Sequence, residues 1–116
     1  MRTMLVRGDV VLTRFPFTDL TGASLRPALV VSRGEIGQDV VLAAISSVVR
    51  DAIVPTDCIV EPTHPEFAWT GLRVRSVFRL HKLATVERAT IVRRLGRIGP
   101  QLQAEVDRIL REVLAL

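Results

Sequence analysis

Residues 24–32 read S-L-R-P-A-L-V-V-S. From Pro27 onward the run is apolar without interruption, which predicts a short strand over 27–32 buried on both faces. Just ahead of it stands Arg26, a permanent cation with no acidic residue within five positions on either side. Arg26 therefore has two readings on these residues alone: a solvated turn arginine, or a cation aimed at an anion. Working outward, 6–15 is β-branched and apolar and reads as a strand that Pro16 ends or confines to an edge. The stretch 18–25 gathers Asp, Thr, Gly and Ser and reads as a loop. After a turn at 34–39, the run 40–49 is a third strand that ends in Ser46 and Ser47. A short extended segment follows at 58–61, then a loop at 62–70 carrying two prolines, Phe67 and Trp69. Alternation over 72–83 predicts another strand, and 90–98 a last one. The end differs: Leu102, Val106, Ile109, Leu110, Val113 and Leu114 lie on one face of a helix, with Pro100 at its first position after Gly99. Five or six short strands and one helix make a mainly β fold with a C-terminal helix, a small and strongly curved barrel. Dimerisation is one way for such a barrel to cover its edges.

The chain has 116 residues, 48% of them apolar, which suits a single domain over 1–116 with a core that needs no staples. Its one cysteine, Cys58, allows no intrachain disulfide, and His64 and His81 form no cluster with metal-ligand spacing. No run approaches a membrane span, and the first residues lack the apolar core of a signal peptide. This composition fits a reducing cytoplasm. The charge carries more. Fifteen of the sixteen basic residues are Arg, and the net charge is +4. Residues 1–58 balance six bases against six acids, so the excess lies in the second half. From Arg73 to Arg97 there are eight bases and one acid, Glu87. Arg is the planar, bidentate partner of phosphate, so this density is either a nucleic-acid footprint or a solvated arginine-rich face.

Nucleotide-binding glycine loops, zinc-protease helices and nucleophile elbows have no counterpart in this sequence. The acids are scattered, which leaves a metal-dependent nuclease without an evident carboxylate cluster. Metal-free RNA cleavage asks for less. The substrate's own 2′-OH attacks, and the protein stabilises a crowded dianionic phosphorane. Arg26 suits that task, and a Ser or Thr hydroxyl can add a hydrogen bond to the same phosphate. Arginine is no base, since its pKa exceeds about 12.

The segments G-D-V-V-L at 8–12, F-P-F-T-D at 15–19, R-P-A-L-V-V-S at 26–32 and A-A-I-S-S at 43–47 resemble the PemK/MazF toxins of type II toxin–antitoxin systems. S-V-F-R-L-H-K-L-A-T-V at 76–86 and L-G-R-I at 95–98 extend the resemblance over nearly the whole chain. It implies a dimeric SH3-like barrel of the PemK/MazF/CcdB kind and a sequence-specific endoribonuclease acting on single-stranded RNA. It implies no metal and no cofactor, products ending in 2′,3′-cyclic phosphate and 5′-OH, and a cognate antitoxin with an acidic segment. Arg26 matches the family's catalytic arginine. Ser46 stands where the family has its catalytic threonine, keeping the hydroxyl and losing the methyl that restricts the rotamer. Ser47 takes that place if the register slips by one. Ser76 and Lys82 fall where the family contacts RNA, Lys82 replacing the Gln of several members. A relative that binds a protein target such as DNA gyrase, and a barrel that binds RNA without cutting it, are the competing readings.

On the expected strand at 72–83, alternation puts Arg73, Arg75, Arg79 and His81 on one side with Val77. Such a row either tracks an RNA backbone or is the solvent side of a half-buried strand. An imidazole suits general acid–base work, so His81 is either such a group or a surface histidine. Phe15, Phe17, Phe67 and Trp69 offer base stacking or core and dimer contacts. Asp9, after Gly8, reads as a turn-former.

Overall fold

A computed structural model describes residues 4–14, 25–48 and 53–116. The apolar runs form six strands: β1 (Asp9–Arg14), β2 (Leu25–Val30), β3 (Asp39–Ser46), β4 (Asp57–Val60), β5 (Ser76–Glu87) and β6 (Ile91–Arg97). A helix, α1 (Pro100–Leu114), closes the chain. All pairings are antiparallel, in the order β4-β5-β3-β2-β1-β6. The expected strand end at Phe15, most of the expected 18–25 loop with Phe17, and Val49 lie outside the described residues.

Alternation sorts the side chains into two cores. Val10, Leu29, Ala43, Ile45, Cys58, Phe78 and Leu80 point to the face that α1 covers with Leu102, Val106, Ile109 and Leu110. Val11, Ala28, Val30, Val40 and Leu42 point the other way and meet Leu5 and Ile91. The unbroken apolar run of β2 is thereby explained: Leu29 serves one core, Ala28 and Val30 the other. Each large side chain so buried contributes about 1.5–3 kcal/mol.

The second core has no helix over it, so the sheet must cover itself. β5 and β6 lie four strand spacings apart in hydrogen-bonding order, about 19 Å if the sheet were flat. Yet β5 ends at Glu87 and β6 starts at Ile91, and four residues of chain span roughly 13–14 Å at most. The sheet therefore curls, and Val86 near the end of β5 packs into the same core as Ile91 at the start of β6. Among the described residues no ladder joins the two edges. The expected barrel is a curled sheet whose edges, β4 and β6, are left open.

Several strand bounds are corrected: β1 starts at Asp9 rather than residue 6, β2 covers Leu25–Val30 rather than 27–32, and β5 runs on to Glu87 rather than stopping at 83. The strand read from residue 72 begins at Ser76. Its partners run out there, because β4 ends with Val60 opposite Ser76 and β3 with Ser46 opposite Val77. Farther along, the register with β3 jumps from Ala44↔Arg79 to Ala43↔Leu83, so Leu80, His81 and Lys82 form a bulge. The loop at 62–70 contains a short 3-10 helix, Phe67–Thr70.

The helix starts at Pro100 as expected, but Gly99 gives it no side-chain cap. Buried Glu66 supplies one, accepting the N–H groups of Gln101 and Leu102 at 2.8 Å each. A Cβ at Gly99 would stand 2.5 Å from the Glu66 carboxyl carbon, so only glycine admits this cap. Leu114, placed on the helix's apolar face by its spacing, is exposed at the end of the last turn. Asp9 shapes the turn before β1, accepting the Val6 N–H at 2.9 Å. Among the described residues no helix is long and apolar enough to cross a membrane.

Candidate functional site

Residues directly opposite each other in an antiparallel pair point to the same face. Thr13 of β1 faces Arg26 of β2, and Thr13 pairs on its other side with Ile91 of the second core. Arg26 thus stands on the sheet face turned away from α1. The β2–β3 ladder is recorded as far as Ala28↔Ala44. Carried two residues further, the same register sets Arg26 against Ser46. Pro27, between them and the ladder, has no N–H to give. Ser46 in turn faces Val77 of β5, and Val77 faces Ile59 of β4. Thr13 and Arg26 on one side, and Ser46, Val77 and Ile59 on the other, are thus paired residues of the same face, and the extended register aligns the two sets in one row with Arg26 next to half-buried Ser46. Arg26 is exposed.

Ser46 is the last residue of β3, where the apolar run stops. Its Oγ accepts the Val48 N–H at 3.1 Å. That leaves its single O–H to donate elsewhere. Ser47 follows in a bend, exposed, and no longer in the strand.

One row inward, the same face reads Val11–Ala28–Ala44–Arg79–Asp57. Two alanines make the floor. Beyond them Arg79 Nε donates to Asp57 Oδ1 at 2.7 Å. The Asp57 carboxylate is nearly enclosed, 2% exposed, while the Arg79 side chain is 27% exposed. Its Oδ2 also accepts the Val54 N–H at 3.2 Å. His81, from the bulge, brings Nδ1 within 2.9 Å of Thr56 Oγ1 and 4.0 Å of Asp57 Oδ1.

Of the expected row of four cations, then, Arg79 and His81 come together, and the sequence reading missed the acid that joins them. Arg73 and Arg75 precede the strand and stay apart from it; both are exposed, and Arg75 pairs with Glu61 at 3.0 Å. Ser76 points to the helix side opposite Val60, is buried, and donates its O–H to the Val74 carbonyl at 2.8 Å. Lys82 is exposed in the bulge. Of the four aromatics, Phe67 packs against the helix-side core and Trp69 is exposed beside Arg97 and Pro100; Phe15 and Phe17 lie outside the described residues. Cys58 belongs to the helix-side core, where burial, and secondarily Glu105, pushes its thiol up to about 11. It is no nucleophile there. Among the described residues no three of His, Cys, Asp and Glu gather as metal ligands.

Residues 6–114 match a family model described as the PemK-like, MazF-like toxin of type II toxin–antitoxin systems. No curated protein matches the chain. Among solved structures, MazF from Deinococcus radiodurans is 21% identical with a TM-score of 0.73, over 99% of this chain and 100% of that one. An endoribonuclease in complex with its cognate antitoxin from Mycobacterial species is 19% identical, TM-score 0.72, over 96% and 95%. The Mycobacterium tuberculosis toxin MazF-mt6 is 19% identical, TM-score 0.71, over 93% and 97%. At such identities these structures establish the fold, and it is the one described above.

Proposed function

Because the chain belongs to the PemK-like, MazF-like toxins of type II toxin–antitoxin systems, we propose that it is a sequence-specific endoribonuclease that cuts single-stranded RNA without a metal. The observation that supports this reading is that Arg26 and Ser46 share the sheet face that α1 leaves uncovered, in β2 and β3 strands whose register at Ala28↔Ala44, if continued, sets them opposite each other.

The substrate supplies its own nucleophile, the 2′-OH next to the scissile phosphate. Its oxygen attacks phosphorus, the 5′-oxygen leaves, and the products carry a 2′,3′-cyclic phosphate and a 5′-OH. Charge builds on the non-bridging oxygens as the phosphorane forms. Arg26 meets that charge with a planar fork of donors that matches two oxygens at once. Ser46, whose O–H is left to donate, adds a third hydrogen bond. Donors of this kind are each worth roughly 10²–10³ in rate. The rigid β2 strand behind Arg26 holds it in place without reorganisation. Exposed Ser47 and Lys82 extend the polar and cationic surface along which an RNA backbone would run.

In this reading the toxin works as a homodimer in the cytoplasm and is held silent by an antitoxin whose acidic segment complements the basic second half of the chain. Support for an antitoxin comes from the neighbours solved with theirs, among them MazE–MazF of Deinococcus radiodurans.

The test is incubation of the purified protein with a long RNA in EDTA, with cut sites and end groups mapped and Arg26→Ala run beside it. Cleavage should persist in EDTA, leave cyclic-phosphate ends, and drop by about 10²–10³ in the folded variant. Loss of cutting in EDTA, or full activity in Arg26→Ala, overturns the mechanism.

A further inference from the structure

Asp57 has no part in the cleavage chemistry above, yet it is a nearly enclosed carboxylate on an edge strand, on the same face as Arg26 and Ser46. We propose that Asp57 is a positioning residue that aims Arg79 at an RNA phosphate neighbouring the scissile one; the choice of RNA as ligand rests on the reading given under Proposed function.

The geometry is specific about which part of Arg79 is used. Asp57 engages Nε at 2.7 Å. No other ion pair or hydrogen bond from this guanidinium to the described residues competes, so both Nη groups remain to donate elsewhere. A bidentate Arg–carboxylate pair would have spent the fork on Asp57; this one leaves a fork fixed in orientation and still open. Fixing it in advance matters, because an arginine otherwise loses up to about 2 kcal/mol of rotamer freedom on binding.

Position follows from the register. Arg79 pairs with Ala44, two residues before Ser46 on β3. Diagonal neighbours of this kind lie about 7–8 Å apart. Between Arg79 and Arg26 lie Ala28 and Ala44, whose methyl groups raise no wall. A strand of RNA whose scissile phosphate rests on Arg26 and Ser46 has its adjoining phosphate within reach of Arg79. Asp57 itself is kept from repelling the RNA, since its two oxygens face Arg79 and the Val54 N–H. His81, within 4.0 Å of Asp57 Oδ1, borders the same cluster.

The idea makes a prediction that plain electrostatics reverses. Removing a negative charge from an RNA-binding face tightens binding if charge is all that counts. Removing the residue that aims Arg79 weakens it. Binding is measured on a random-sequence, fully 2′-O-methylated RNA pool, which has no free 2′-OH to attack, so the measurement does not depend on cleavage. Arg79→Ala should weaken binding about tenfold and lower the salt slope by about one. Asp57→Ala should weaken it about fivefold. The double variant should bind no worse than Arg79→Ala alone, because Asp57 then has nothing to aim. Asp57→Asn, which keeps an oxygen for Nε, should retain near-native affinity and guards against a folding defect in Asp57→Ala. Tighter binding by Asp57→Ala, or a loss by Asp57→Ala that persists in full on the Arg79→Ala background, overturns the proposal. Arg26→Ala decides the other question separately: if it abolishes cleavage while the Asp57 variants behave as charge alone dictates, the nuclease stands and the positioning role falls.

Discussion

The two faces of the sheet are made by the same alternation and end in opposite uses. On the helix side three buried polar groups are spent within the protein. Ser76 gives its hydroxyl to Val74, Glu66 gives its carboxylate to the start of α1, and the Cys58 thiol is held neutral by burial. On the other side the core stops short of the end of the strands. The last row there holds Arg26 and Ser46, and the row behind it Arg79. A face that is fully covered stabilises; a face left partly open is where donors can meet a ligand.

That contrast can be broken from either side. The largest effect belongs to the covered face: Phe78→Ala removes a fully buried ring and should cost about 3–5 kcal/mol. Denaturant unfolding would show it, while the fraction that remains folded cuts RNA at the normal rate. Arg26→Ala is the mirror image, with a loss in rate that far exceeds any shift of the unfolding midpoint. Next comes Glu66→Ala, which strips two helix N–H groups of their acceptor and should cost roughly 1–3 kcal/mol. If the midpoint does not move, the cap carries no weight. The smallest effect concerns pH. The unfolded chain gives up its Cys58 proton near the ordinary value of 9.0, whereas the folded chain holds it to about 11. Between those values the unfolded state binds fewer protons, so stability falls as pH rises, by up to roughly 1.4 kcal/mol per unit. Cys58→Ser should abolish that slope in unfolding curves taken at increasing pH.

How much of this was legible in the sequence depended on distance along the chain. The β2 and β3 strands and the helix from Pro100 are local patterns; the helix starts where expected, while β2 lies two residues ahead of its apolar run and β3 stops at Ser46. Arg26 at a strand entrance and Ser46 at a strand end were likewise local. What failed was whatever needed a partner. Alternation continued upstream of Ser76, but a strand lasts only as long as its neighbours do. The bulge at Leu80–Lys82 depends on how β3 and β4 divide β5 between them. Asp57 and Arg79 are twenty-two residues apart, and no spacing rule joins them. Glu66 lies in the proline-containing loop at 62–70, and only the packed structure makes it a helix cap.

The short connection between β5 and β6 has a consequence for synthesis. β1 leaves the ribosome some eighty residues before β6, yet among the described residues it is β6 that covers its outer edge. The helix that seals Phe78 and Leu80 comes later still. Until β6 and α1 have followed β1 out, a nascent chain therefore carries an open strand edge and an uncovered core, and contacts so distant in sequence form slowly. A chain truncated before β6 therefore lacks the strand that pairs with β1, next to the β2 strand that carries Arg26.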